Sequence, residues 1–199
     1  MKRRTVVFLS GIFIFLLLIT FAFAENMIIT TKDGKQQVIP TSNIQKIEFT
    51  GGVTQPAGFT EHQYFRIIAK HSGKCTDVEG VRTDNGANVY QWDCHGGDNQ
   101  AWKFVQKGQD YYMIVAKHSG KCLDVAGWGT QNGTNVIQWD CHGGNNQIWK
   151  VVPKGYGYYM IISKHSNKCL DVAGVSNQTG ANIYQWDCHG GNNQLWKIE

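Results

Sequence analysis

The side chains best suited to chemistry in this chain lie in one stretch, Gln91-Trp92-Asp93-Cys94-His95-Gly96-Gly97-Asp98-Asn99-Gln100-Ala101-Trp102, which returns almost unchanged at 138–149 and at 185–196. Each copy sets an aromatic face beside a His, an Asn, a Gln and two glycines. A flat apolar surface flanked by hydrogen-bonding groups suits a small polyhydroxylated ligand, whose C–H face can stack while its hydroxyls bond. A zinc site is the metal alternative, because every second Cys is followed by His. Adjacent strand residues point to opposite faces and do not chelate one ion, so no metal is expected.

These groups must be positioned by a repeated unit. Cys75, Cys122 and Cys169 recur at an interval of 47 residues, and Trp102, Trp149 and Trp196 keep the same interval, so the copies share one register. A fixed period decides the architecture before any local propensity does. All six cysteines lie in the repeats as the pairs Cys75/Cys94, Cys122/Cys141 and Cys169/Cys188, each 19 residues apart. Six cysteines allow about 15 connectivities, and one unit copied three times favours a disulfide within each unit. Each bond would close a loop whose restriction is worth on the order of 3 kcal/mol.

Length and composition narrow the classes further. With 199 residues, the repeats and a short leader fill nearly the whole chain and leave no room for a separate catalytic domain. The formal charge of +4 is mild and the lysines are scattered, which argues against a nucleic-acid partner. Few charges and many glycines point to short strands and turns rather than helices.

The N-terminus has the form of an export signal over residues 1–24: Lys2-Arg3-Arg4, the apolar run Val6 to Phe21, then Ala22-Phe23-Ala24 as a cleavage site before Glu25. Cleavage would leave a secreted or periplasmic protein with no membrane span; retained, the run reaches about the minimum spanning length. Residues 25–50 resemble a small β element, with Met27-Ile28-Ile29, a turn at Lys32-Asp33-Gly34-Lys35, Val38-Ile39 and an alternating segment Ile44 to Phe49. Residues 51–61 form a linker by composition.

From about residue 62 to 199 each repeat is expected to give four short strands and no helix. The first turn is His71-Ser72-Gly73-Lys74, repeated as His118-Ser119-Gly120-Lys121 and His165-Ser166-Asn167-Lys168. Asn in place of Gly marks a position of positive φ. Three units are too few for a β-propeller, so a closed three-fold barrel capped by hairpins is expected. Cys-Leu-Asp-Val at 122–125 and 169–172, together with Gln100-Ala101-Trp102, Gln147-Ile148-Trp149 and Gln194-Leu195-Trp196, resembles the ricin B-type lectin family over about residues 64–199. The resemblance implies an all-β β-trefoil and carbohydrate binding.

Carried over by position, the resemblance implies one shallow pocket per repeat. In the first, Asp77 accepts from two sugar hydroxyls, Trp92 stacks under the ring, Asn99 donates and accepts, and His95 adds a donor. The second set is Asp124, Trp139, His142 and Asn146, and the third is Asp171, Trp186, His189 and Asn193. Trp102, Trp149 and Trp196 are assigned to the core, with Gln100, Gln147 and Gln194 bonding backbone there. The family's usual Gln two residues before the platform is replaced by Tyr90, Ile137 and Tyr184. Thr76 replaces a core Leu, Glu79 replaces Ala126 or Ala173, and Trp128 offers an extra stacking surface in the second loop. A glycosidase needs two carboxylates about 5 to 9.5 Å apart; one Asp per pocket does not supply them, so no enzyme and no cofactor is expected. The expected partner is a glycan, of galactose, mannose or xylan type, bound by a monomer. The rival is a trefoil that binds protein with idle sugar pockets.

Overall fold

The computed structural model describes residues 5–6, 19–20, 26–30, 36–40, 59 and 62–199, and the chain divides into a unit Met1–Gly51 and a unit Gly52–Glu199. In the first unit β1 (Thr5–Val6) pairs with β2 (Ile19–Thr20), and β3 (Asn26–Thr30) pairs antiparallel with β4 (Gln36–Pro40), placing Ile28 opposite Val38. The export signal's cleavage site, most of its apolar run, the segment Ile44 to Phe49 and most of the linker lie outside the described residues. Among the described residues no helix is long and apolar enough to cross a membrane.

The second unit is the three-fold barrel. Its first repeat supplies β5 (Ile67–Ala69), β6 (Cys75–Val78), β7 (Val89–Trp92) and β8 (Trp102–Gly108). The second supplies β9 (Tyr111–Ala116), β10 (Cys122–Val125), β11 (Val136–Trp139) and β12 (Ile148–Pro153); the third supplies β13 (Tyr158–Ser163), β14 (Cys169–Val172), β15 (Ile183–Trp186) and β16 (Trp196–Ile198). Strands β8, β9, β12, β13, β16 and β5 pair in turn, and the bridge Phe65↔Trp102 closes the ring. Hairpins β6–β7, β10–β11 and β14–β15 form the cap.

Strand alternation builds the core: in β9 the side chains of Tyr112, Ile114 and Ala116 face inward while their neighbours stay half-exposed. Trp102, Trp149 and Trp196 are fully buried, and each indole N–H is satisfied by a strand carbonyl, of Thr76, Leu123 and Leu170, at 3.3, 2.9 and 3.1 Å. Phe59, within the stretch assigned to the linker, packs against this core and stacks on Phe104 at 4.2 Å between ring centroids. The packed unit therefore begins before residue 62.

Local chemistry sets the turns. Gly73, Gly120 and Asn167 hold φ of 69°, 68° and 59°, which explains why Asn alone substitutes for Gly there. The three disulfides Cys75–Cys94, Cys122–Cys141 and Cys169–Cys188 form within repeats and tie the start of each cap hairpin to the turn that follows it. The repeats are also joined to one another on the three-fold axis. Asn88, Asn135 and Asn182 donate side-chain amides around a closed ring at 3.0, 2.9 and 2.8 Å. Buried Gln91 reaches the carbonyls of Ser176 and Gln178 in the third repeat, and Gln138 and Gln185 do the same to the first and second.

No α-helix occurs among the described residues, as expected. Single 3-10 turns at Glu79–Val81 and Asp98–Gln100, with their counterparts at Ala126–Trp128, Asn145–Gln147, Ala173–Val175 and Asn192–Gln194, interrupt the strands. Gly80, Gly127 and Gly174 take positive φ inside the first kind. The Gly97, Gly144 and Gly191 turns that precede the second kind deliver Asn and Gln to the site.

Candidate functional site

Each pocket is built on the middle of a cap hairpin. Asp77, on β6, lies opposite Tyr90 and is 1% exposed. Three donors from the 95–100 turn converge on its carboxylate: Asn99 Nδ2 to Oδ1 at 2.8 Å, and Gln100 Nε2 and His95 Nε2 to Oδ2 at 2.7 and 3.2 Å. The His tautomer follows from its other nitrogen. Nδ1 accepts from the Gly97 N–H at 3.1 Å, so the proton of the neutral ring sits on Nε2 and points to Asp77. His142 and His189 accept from Gly144 and Gly191 in the same way, at 3.1 Å.

Counting lone pairs shows what remains for a ligand. Asp77 Oδ2 accepts two protein donors and is full, whereas Oδ1 accepts one and keeps one site free. Both amide hydrogens of Asn99 are used, by Asp77 and by the Val78 carbonyl at 3.2 Å. Within this network Asp77 keeps room for one further donor, and Asn99 keeps its Oδ1 as an acceptor. Asp124 and Asp171 are bound alike by Asn146 and Gln147 and by Asn193 and Gln194, at 2.9 and 2.7 Å in each repeat. The Gln residues assigned to the core do bond backbone, at the Asp93, Asp140 and Asp187 carbonyls, and they also hold the pocket carboxylate. Sequence reasoning missed that second bond, since it depends on two turns meeting.

Burial raises the pKa of Asp77, Asp124 and Asp171, and the hydrogen bonds from Gln, Asn and His pull only part of the way back. Asp93, Asp140 and Asp187 point outward to Lys74, Lys121 and Lys168, whose hydrogen bonds lower their pKa. The two sets of carboxylates are thereby separated into a pocket set and a surface set. No group of three His, Cys, Asp or Glu is placed to hold a metal ion among the described residues, and all six cysteines are bonded to each other.

The tryptophans divide as their positions require. Trp92, Trp139 and Trp186 are 39%, 41% and 37% exposed, against complete burial of Trp102, Trp149 and Trp196. The inner edge of each exposed ring rests on a glycine of the neighbouring repeat: Trp139 on Gly86, Trp186 on Gly133 and Trp92 on Gly180. In the second repeat Asp124, Trp139, His142 and Asn146 line one cavity of about 240 Å³ together with Gly127, Trp128 and Ile137. In the first and third repeats the residue at the Ile137 position is Tyr90 or Tyr184, whose ring lies 5.2 or 5.3 Å from the platform tryptophan.

The ricin-type β-trefoil lectin domain model matches residues 63–196. A designed three-fold symmetric protein, ThreeFoil, is 49% identical with a TM-score of 0.67, covering 68% of this chain and 96% of its own. An exo-β-1,3-galactanase from Clostridium thermocellum is 32% identical with a TM-score of 0.68 over 87% of this chain, which spans 37% of that enzyme. The C-terminal half of an earthworm R-type lectin, solved with GalNAc, is 26% identical with a TM-score of 0.55, covering 69% of this chain and 98% of its own. With its three repeats, their disulfides and the Gln-x-Trp turns in place, this chain belongs to the ricin-type β-trefoil lectin domain family.

Proposed function

We propose that this protein is an exported, non-catalytic glycan-binding protein with three shallow sites, one per repeat, for a pyranose of the galactose type. The observation that carries this reading is the pairing, three times over, of a half-exposed indole with a buried carboxylate that keeps one lone pair free. A pyranose laid on Trp92 would donate one hydroxyl to Asp77 Oδ1 and a second to Asn99 Oδ1. The carboxylate is held in place by fixed donors, so little is reorganised on binding.

The galactose preference is supported by the GalNAc complex of the earthworm lectin and by the substrate named for the galactanase. Binding without chemistry is supported by the single buried carboxylate per pocket, where a glycosidase requires a facing pair. Calorimetry of the fragment from Glu25 with GalNAc, and with glucose as the control, tests the reading. Saturable binding of GalNAc that is lost in Asp124→Ala, Asp77→Ala and Asp171→Ala combined supports it; binding that survives the triple substitution refutes it.

A further inference from the structure

The middle pocket differs from the other two at Ile137, where they carry Tyr90 and Tyr184, and at one residue of its rim. The 3-10 turn after each Asp carries an exposed apolar side chain at positive φ: Val81 at 54°, Trp128 at 56° and Val175 at 53°. Such a conformation is strained for a branched or bulky residue, and it is retained in all three copies. Only in the second repeat is that side chain aromatic. Trp128 is held in place on two sides, with its ring stacked on His142 at 5.9 Å and 20°, and edge-on to His165 at 5.2 Å and 89°. His165 Nε2 also bonds its carbonyl at 2.8 Å. The indole therefore lies on the rim of the cavity that Trp139 also lines.

A second difference lies at Asn146. Asn146 Oδ1 is the one among the three equivalent Asn oxygens that is both buried and without a hydrogen-bond partner. Trp128 stands beside it: a Cβ built on Gly144 would meet Trp128 Cη2 and Cζ2 at 2.6 and 2.7 Å and Asn146 Oδ1 at 2.8 Å. At the corresponding glycines, Gly97 and Gly191, Asn99 and Asn193 Oδ1 lie as near, at 2.7 and 2.8 Å, and the rings of His95 and His189 stand where Trp128 does. The distance from His Nε2 to Asp Oδ2 is 3.2, 3.6 and 3.4 Å in the first, second and third repeats. The middle pocket thus holds a buried acceptor with no protein donor. Leaving a buried acceptor unpaired is costly, and a ligand hydroxyl that pairs with it recovers that cost on binding.

We propose that Trp128 makes the second repeat the high-affinity site, a two-walled slot in which a galactose-type disaccharide places one ring on Trp139 and its neighbour against Trp128, with a hydroxyl donated to Asn146 Oδ1. This rests on the sugar-binding reading above. Entry of the sugar moves the indole edge off Asn146 and leaves its face against the ligand. The pockets of the first and third repeats, with Val81 and Val175 at this place, bind one ring only.

The seven indole N–H signals of the full protein report the sites separately during titration with lactose. Trp139 and Trp128 should shift together, with a midpoint about 10-fold below those of Trp92 and Trp186, a factor equal to about 1.4 kcal/mol. Trp128→Val, a side chain the fold already carries twice at this position, should keep the melting temperature and raise the Trp139 midpoint about 10-fold, to that of the other two. If Trp139 saturates together with Trp92 and Trp186 and Trp128→Val leaves it unchanged, this inference is overturned while sugar binding stands. If Trp139 saturates while Trp128 does not shift, the two-walled slot is likewise excluded. If no indole signal shifts with lactose, galactose-type binding and this inference fall together.

Discussion

Replacing two tryptophans that look alike in sequence should have opposite consequences. Trp149→Ala removes a fully buried side chain whose indole N–H is bonded to the Leu123 carbonyl at 2.9 Å. It leaves a cavity in the barrel and an unpaired acceptor, and truncation of a buried aromatic costs about 3 to 5 kcal/mol. For a domain of this size 1 kcal/mol moves the melting temperature by about 3 to 5 °C, so a fall of roughly 10 to 20 °C is expected. Trp139→Ala, by contrast, removes a ring that is 41% exposed and rests on Gly86 by its edge, so no closed cavity forms. Its cost should stay near or below about 1 kcal/mol. Binding should change in the reverse sense, since Trp139→Ala strips the platform from the middle pocket. Thermal melts followed by circular dichroism, with calorimetric titration of GalNAc at a temperature where both variants are folded, check this. Equal losses of stability in the two variants would refute the division into core and platform rings.

Reduction of the disulfides should lower stability by about 3 kcal/mol for each bond opened, and non-reducing peptide mapping should recover Cys75 with Cys94, Cys122 with Cys141 and Cys169 with Cys188. Sugar binding should weaken on acidification at a higher pH than an unburied Asp would dictate, because burial raises the pKa of Asp77, Asp124 and Asp171 and the hydroxyl needs the ionised form. Stability responds with two opposite signs. The contribution of these three raised groups is fully present below their unfolded pKa and is lost as pH rises through the folded one, while that of Asp93, Asp140 and Asp187, whose pKa is lowered, is lost as pH falls. Titrating binding and unfolding separately against pH should therefore show binding failing before the fold does. Polymeric or cell-surface galactan should bind about 10² to 10⁴ times more tightly than monosaccharide, because three sites on one rigid barrel turn later contacts into intramolecular ones; surface plasmon resonance on immobilised polymer measures the ratio.

The barrel was legible because its determinants are local or periodic. The 47-residue interval fixes three units, Asn167 marks the same positive-φ turn as Gly73 and Gly120, and the place of Trp102 in a Gln-x-Trp motif marks it as buried. Asp77 was implied by the family resemblance, and the strand alternation that turns Asp93 toward Lys74 while Asp77 stays buried agrees with it. What sequence could not supply depends on distant chain meeting in space. Gln91 bonds to carbonyls of residues 176 and 178, and the Asn88, Asn135 and Asn182 ring exists only on the three-fold axis. The hydrogen-bonding capacity left on Asp77 depends on which donors reach it, and Gln100 looked like a core residue because its bond to that carboxylate crosses between two turns. Phe59 sits in a stretch of linker composition, and only its stacking on Phe104 shows that the packed unit extends to it.

Diffraction from crystals soaked in GalNAc tests most directly whether each repeat holds a sugar. Three rings are expected, one stacked on each of Trp92, Trp139 and Trp186, each with a hydroxyl within hydrogen-bonding distance of Oδ1 of Asp77, Asp124 or Asp171. Sugar bound away from these carboxylates, or three pockets that stay empty at saturating GalNAc, would contradict the three-site reading.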